Sequence, residues 1–85
     1  MKEKIRAIRN AEGMNRTELE AVTNIPAKTW ANIENGQQKA NEDHLLAITN
    51  AWPKYALWLM TDQTAPEIGQ ISPEIEATRA KLKQA

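Results

Sequence analysis

Cysteine is absent from the 85 residues, which excludes disulfides and thiolate metal ligation and agrees with a reducing, cytoplasmic setting. Long apolar stretches are missing as well. The longest is the six residues Tyr55 to Met60, too short to span a bilayer, and the N-terminus MKEKIRAIRN has no apolar h-region, so neither a membrane span nor a signal peptide is expected. Glycine occurs only three times, each time isolated, and a phosphate-cradling loop cannot be built from such singletons. The catalytic inventory is equally thin, with one histidine (His44), one serine (Ser72) and one tyrosine (Tyr55). His44 reads as a solvent-exposed surface residue and Ser72 as a helix cap. His44 beside Glu42 and Asp43 lacks the convergent spacing of a metal site. No catalytic residue, metal site, cofactor or small-molecule ligand is assigned, and the chain is not read as an enzyme. Strands are not expected either, because period-two alternation of β-branched residues never lasts long enough.

What is present is charge and helical periodicity. Lys and Arg balance Asp and Glu at 11 each, but unevenly: residues 1–40 carry a net +2 and residues 41–85 a net −2. A surface can hold positive potential locally under such a neutral sum. Ile5 and Ile8 define the buried face of a first helix over residues 2–12, stopped by Gly13. Asn15 with Glu18 is a capping-box pair opening a second helix, with Leu19 and Val22 as its inner stripe. Asn24 supplies a left-handed turn, and Pro26 starts a third helix in which Trp30 and Ile33 face inward. Asn35-Gly36 ends it. Asn41 caps a fourth helix with Leu45, Ile48 and Trp52 on its core side, and Trp52-Pro53 breaks that helix. A short fifth helix, YALWLM, is apolar on nearly every side. After a loop-like stretch from Thr61 to Ile71, Ser72-Pro73-Glu74 opens a tail helix with the weak stripe Ile75 and Leu82.

If Trp30 and Ile33 anchor the third helix, then Ala27, Lys28, Ala31 and Asn32 project from its other face, which carries no acidic residue. Such a face suits a DNA major groove: Lys can donate to guanine O6 and N7, Asn can pair with adenine, and Ala permits close approach. Arg16 at the start of the second helix, and Gln37, Gln38 and Lys39 after the third, are placed to meet phosphates. On periodicity alone, the solvated face of an ordinary amphipathic helix explains Lys28 and Asn32 equally well.

Asn15 to Gly36 resembles the helix-turn-helix of the lambda repressor-like family, the Cro/CI or XRE class of phage and bacterial regulators. Its most specific pieces are Glu18-Leu19, Thr23-Asn24-Ile25-Pro26, Thr29-Trp30 and Ile33-Glu34-Asn35-Gly36, and the likeness covers roughly residues 2–60. The resemblance implies an all-α, five-helix DNA-binding domain whose third helix enters the major groove, and two subunits reading a palindromic operator. By position it makes Ala27, Lys28 and Asn32 base-reading residues, and assigns Arg16 and Asn35 to the DNA backbone. Three positions depart from the family pattern. Glu20 stands where a small residue usually lets the second helix pack at the turn, Asn24 replaces glycine, and Ala27 replaces what is more often a polar reading residue. Glu20 must therefore point to solvent or find a partner.

The expected organisation is a helix-turn-helix domain over residues 1–61 and a C-terminal extension, loop then helix, over residues 62–85. The expected function is that of a homodimeric DNA-binding transcriptional regulator, a repressor from a phage or other mobile element. Tyr55, Trp58, Leu59, Ile75 and Leu82 form its predicted dimer interface. The rival is an antitoxin-like or adaptor module that uses the apolar fifth helix to bind a protein.

Overall fold

Most internal helix boundaries in the computed structural model, which describes residues 1–84, coincide with an identifiable start or stop signal. The helices are α1 (Lys2–Ala11), α2 (Arg16–Thr23), α3 (Ala27–Glu34), α4 (Glu42–Ala51), α5 (Ala56–Thr61) and α6 (Pro73–Gln84). Pro53–Tyr55 and Pro66–Ile68 form single 3₁₀ turns. The described residues are thus all-helical, apart from one isolated bridge between Ala65 and Gln70. Among the described residues no helix is long and apolar enough to cross a membrane.

Local chemistry accounts for the ends. Asn15 accepts from the Glu18 amide at 2.8 Å while Glu18 accepts from the Asn15 amide at 3.0 Å, the reciprocal pairing that satisfies two orphan donors. Asn24 ends α2 at φ 60°, in the left-handed region that Asn tolerates. Trp52 leaves the helical region immediately before Pro53, with ψ 79°, as the proline ring demands. Ser72 accepts from the Ile75 amide at 3.2 Å and opens α6.

The core gathers Ile5 and Ile8 of α1, Leu19 of α2, Trp30 and Ile33 of α3, Ile48 of α4, and Tyr55, Leu59 and Ile71 from the later part of the chain. Val22 corrects the stripe expected for α2, because it is 46% exposed; only Leu19 of this helix reaches the core, and Val22, three residues on, lies at its solvent edge. His44 corrects the reading of an exposed histidine. It is 7% exposed, its Nδ1 accepts from the Asn41 amide at 3.0 Å, and Asn41 accepts from the His44 amide at 3.1 Å. Histidine here fills the place that Glu or Gln usually takes in a capping box. Its ring centroid lies 5.7 Å from that of Trp30.

Helix α5, at six residues, is too short to persist alone, and side chains from elsewhere secure both of its ends. Lys4 donates to the carbonyls of Trp58 at 3.0 Å and Leu59 at 3.1 Å, and pairs with Asp62 at 2.8 Å. Gln70 accepts from the Leu57 amide and donates to the Pro53 carbonyl, while the Ile71 amide reaches the Lys54 carbonyl. The stretch before α6 is therefore a latch that delivers Ile71 to the core. Helix α6 lies against α1, tied through Lys54, whose ammonium is 3.0 Å from Glu12 and 3.4 Å from Glu76. Tyr55 donates to Glu12 at 2.7 Å in the same cluster. Burial, reinforced by that carboxylate, pushes the phenol pKa far above its ordinary value, so Tyr55 stays a donor.

Candidate nucleic-acid interface

Helix α3 has two faces with different chemistry. Inward, Trp30 and Ile33 are in the core, and the indole N–H donates to the Thr23 hydroxyl at 3.0 Å, which fixes α3 against the end of α2. Glu34 also points inward and is 2% exposed. Its Oε2 accepts from Arg9 Nε at 2.9 Å; its Oε1 accepts from Arg9 Nη2 at 2.9 Å and Arg16 Nη2 at 3.2 Å and lies 3.5 Å from Arg6 Nε. Arg6 additionally donates to the Glu34 carbonyl at 2.9 Å. One buried carboxylate thus joins α1, α2 and α3. Burial opposes its ionisation, but the hydrogen bonds and charge of Arg9, with Arg16 behind them, outweigh burial and hold the Glu34 carboxyl below its ordinary value. The same pairing raises the Arg9 guanidinium.

Outward, Lys28 is exposed and Ala27, Ala31 and Asn32 are partly so. Of the four predicted base-contacting residues, Lys28 and Asn32 lie on the side of α3 opposite Trp30, and Ala27 and Ala31 lie at its flank. After α3 the chain reverses at Gly36, with φ 79°, and the Asn32 carbonyl accepts from the amides of Gln37 and Gln38. Asn35, Gln37, Gln38 and Lys39 are all exposed there. Arg16 is different from the other predicted phosphate contacts. Glu34 engages its Nη2 and its Nε is enclosed without a partner, so the guanidinium is held in a fixed orientation.

Two contributors escaped the sequence reading. Lys2 is so close to Gly36 that a Cβ there would meet its ammonium at 3.2 Å, and a depression of about 390 Å³ has Lys2, Gln38 and Lys39 on its rim. Nothing in the α1 sequence pattern signals that proximity. The second is Glu20, whose Oε1 accepts from the Ala27 amide at 2.7 Å. That hydrogen bond corrects the expectation of a reading face without an acid: a carboxylate sits at the start of α3, contributed by α2. The family departure at residue 20 was visible in the sequence, but its partner was not.

The predicted dimer residues divide. Tyr55 and Leu59 are 0% exposed, inside the chain's own core. Trp58 and Ile75 are half-buried against that core, with the Lys4 ammonium 5.2 Å from the Trp58 ring centroid. Leu82 is exposed at 72%. Met60 and Leu46 also reach solvent and border an apolar depression between α4 and α5.

Over 75 residues the chain is 39% identical to Repressor protein C of Escherichia phage P2, a match spanning 86% of this chain and 76% of that protein. No family model matches the chain.

Proposed function

Since the chain belongs to the family of small phage repressors of the Cro/CI-like class, with Repressor protein C of phage P2 as its relative, we propose that it is a sequence-specific double-stranded DNA-binding transcriptional repressor, acting as a homodimer on a palindromic operator and not as an enzyme. In this reading residues 1–61 are a five-helix lambda repressor-like domain and residues 62–85 its extension. Helix α3 enters the major groove. Lys28 and Asn32 read bases, while Ala27 and Ala31 let the backbone approach. Arg16, Asn35, Gln37, Gln38 and Lys39 meet phosphates and set the register. The observation that carries the reading is the pair Lys28 and Asn32 on the solvent side of a helix whose other side is anchored by Trp30, Ile33 and Glu34. Rigid presentation of this kind is what base readout requires.

Selection of bound DNA from a random pool tests it. A palindromic site is expected, and Lys28→Ala and Asn32→Ala should each weaken binding to it by about 1–3 kcal/mol and relax preference at one position per half-site. Base preferences untouched by both substitutions would remove α3 as the reading element.

The dimer contact in this proposal falls to Trp58, Ile75 and Leu82, with Tyr55 and Leu59 supporting the surface from beneath. One module alone buries little DNA surface, so coupling two is needed for tight binding. Sedimentation should give a dimer at micromolar concentration, weakened by Leu82→Asp; a monomer with and without DNA would exclude it. The depression bordered by Leu46 and Met60 favours one alternative, an adaptor that binds a protein through the α4 and α5 side. Selection returning no DNA site would move the reading there.

A further inference from the structure

The start of α3 combines an absence and a substitute. Ala27 occupies a position that the family resemblance assigns to base reading, yet it offers only a methyl group. Pro26, which precedes it, has no side-chain cap bond, and the first turn of α3 contains no acidic residue of its own. Glu20 reaches across from α2 and places Oε1 2.7 Å from the Ala27 nitrogen. An amide at the start of a helix orients a carboxylate that accepts from it. Glu20 is exposed, and among the described residues its Oε2 has no hydrogen-bond partner beyond this cap. With Oε1 engaged by the Ala27 amide, the second carboxylate oxygen is left as an acceptor near the start of α3.

Resting on the DNA-binding reading above, we propose that Glu20 is a specificity-determining residue that replaces the missing side chain at residue 27 and selects cytosine. A carboxylate can only accept. In the major groove cytosine offers a lone amino donor, N4, whereas guanine offers O6 and N7, thymine O4, and adenine an amino group flanked by the acceptor N7. Among the four bases, cytosine alone offers a donor and no acceptor on its own major-groove edge. The neighbouring Lys28 has the opposite preference, for the acceptors of guanine. Glu20, which caps α3, and Lys28, in its first turn, thus supply an acceptor and a donor, and each half-site should contain a cytosine as well as a position read by Lys28.

The test is selection from a random pool with the full chain, run for the native protein, Glu20→Ala and Glu20→Gln, with helicity and melting followed by circular dichroism. The native protein should favour cytosine at one position per half-site by about tenfold, the worth of one well-made polar contact. Glu20→Ala should lose that preference and keep the positions that respond to Lys28→Ala and Asn32→Ala. Glu20→Gln retains an oxygen for the Ala27 amide and presents an amide donor in place of the second acceptor, so it should lose the cytosine preference and turn towards a base that offers an acceptor. It serves as the decisive variant if the alanine form folds poorly. A uniform loss of affinity in both variants, with the recovered sequence unchanged, would make Glu20 a helix cap only and overturn the proposal while leaving DNA reading by α3 intact. No selected site for the native protein would overturn both.

Discussion

Glu34→Ala is expected to lower the unfolding free energy by about 3–5 kcal/mol, the usual cost of removing one partner from a buried ion pair. Against a total near 5–15 kcal/mol for a domain, that is a large share. The cause is not the loss of attraction alone. Three guanidiniums, from Arg6, Arg9 and Arg16, converge on this carboxylate; without it they face one another with no counter-charge, and Arg9, the most buried of them, loses the acceptors of its Nε and Nη2. Glu34→Gln keeps one acceptor oxygen and the side-chain shape, so its cost should be smaller and in the same direction. The pH dependence separates charge from packing. Glu34 has a depressed pKa in the folded chain, so its stabilisation is fully present above the unfolded-state pKa of a glutamate and is lost as pH falls through the lower folded-state pKa. Urea titrations should show the gap between native protein and Glu34→Gln constant at neutral pH and shrinking in acid. A gap that is the same at all pH values, or below about 1 kcal/mol at pH 7, would mean that the arginines solvate themselves adequately without the carboxylate.

That network also marks the boundary of what the sequence could reveal. Helix ends were legible because their determinants are adjacent: Asn15 with Glu18, Asn24 in a left-handed turn, Trp52 before Pro53 and Ser72 before α6 each act within a few residues. The inner faces of α1 and α3 were legible because Ile5, Ile8, Trp30 and Ile33 keep helical spacing and are large. Glu34 keeps that spacing too, one turn after Trp30, but a charged residue on an inner face reads as an outward one until its partner is known. Its main partner, Arg9, lies 25 residues away. His44 reads as exposed for the same kind of reason. Its acidic neighbours Glu42 and Asp43 suggested solvent, while the Asn41 amide and the Trp30 ring that enclose it were not visible together. The latch of Gln70 and Ile71 onto Lys54, Pro53 and Leu57 combines backbone and amide contacts with no periodicity at all. At the candidate interface, Lys28 and Asn32 could be picked from face and chemistry. The approach of Glu20 to Ala27 needed the geometry of the turn.

Trp30→Ala should cost about 3–5 kcal/mol, as truncation of a fully buried aromatic does, and lower the melting temperature by more than about 12 °C in a chain of this size. Trp30 is 0% exposed and the largest buried side chain, so the space it leaves cannot be filled by rotation of Ile5, Ile8, Leu19 or Ile33, which are branched and already placed in the same core. Its hydrogen bond contributes less: the Thr23 hydroxyl retains the Leu19 carbonyl at 2.7 Å when the indole is gone, so little polarity is stranded. Trp30→Phe should therefore fall well short of the alanine cost, because it keeps most of the volume and loses chiefly the N–H. The pair also separates anchoring from reading. Trp30 faces away from Lys28 and Asn32, so its replacement should reduce apparent DNA affinity only in proportion to the folded fraction, with the selected sequence unchanged, whereas Lys28→Ala should change the selected sequence with little loss of stability. Denaturant melts beside pool selection on the same variants would distinguish the two. A changed base preference in Trp30→Phe, at full folding, would mean that α3 is repositioned by its anchor and that the core under the helix takes part in setting specificity.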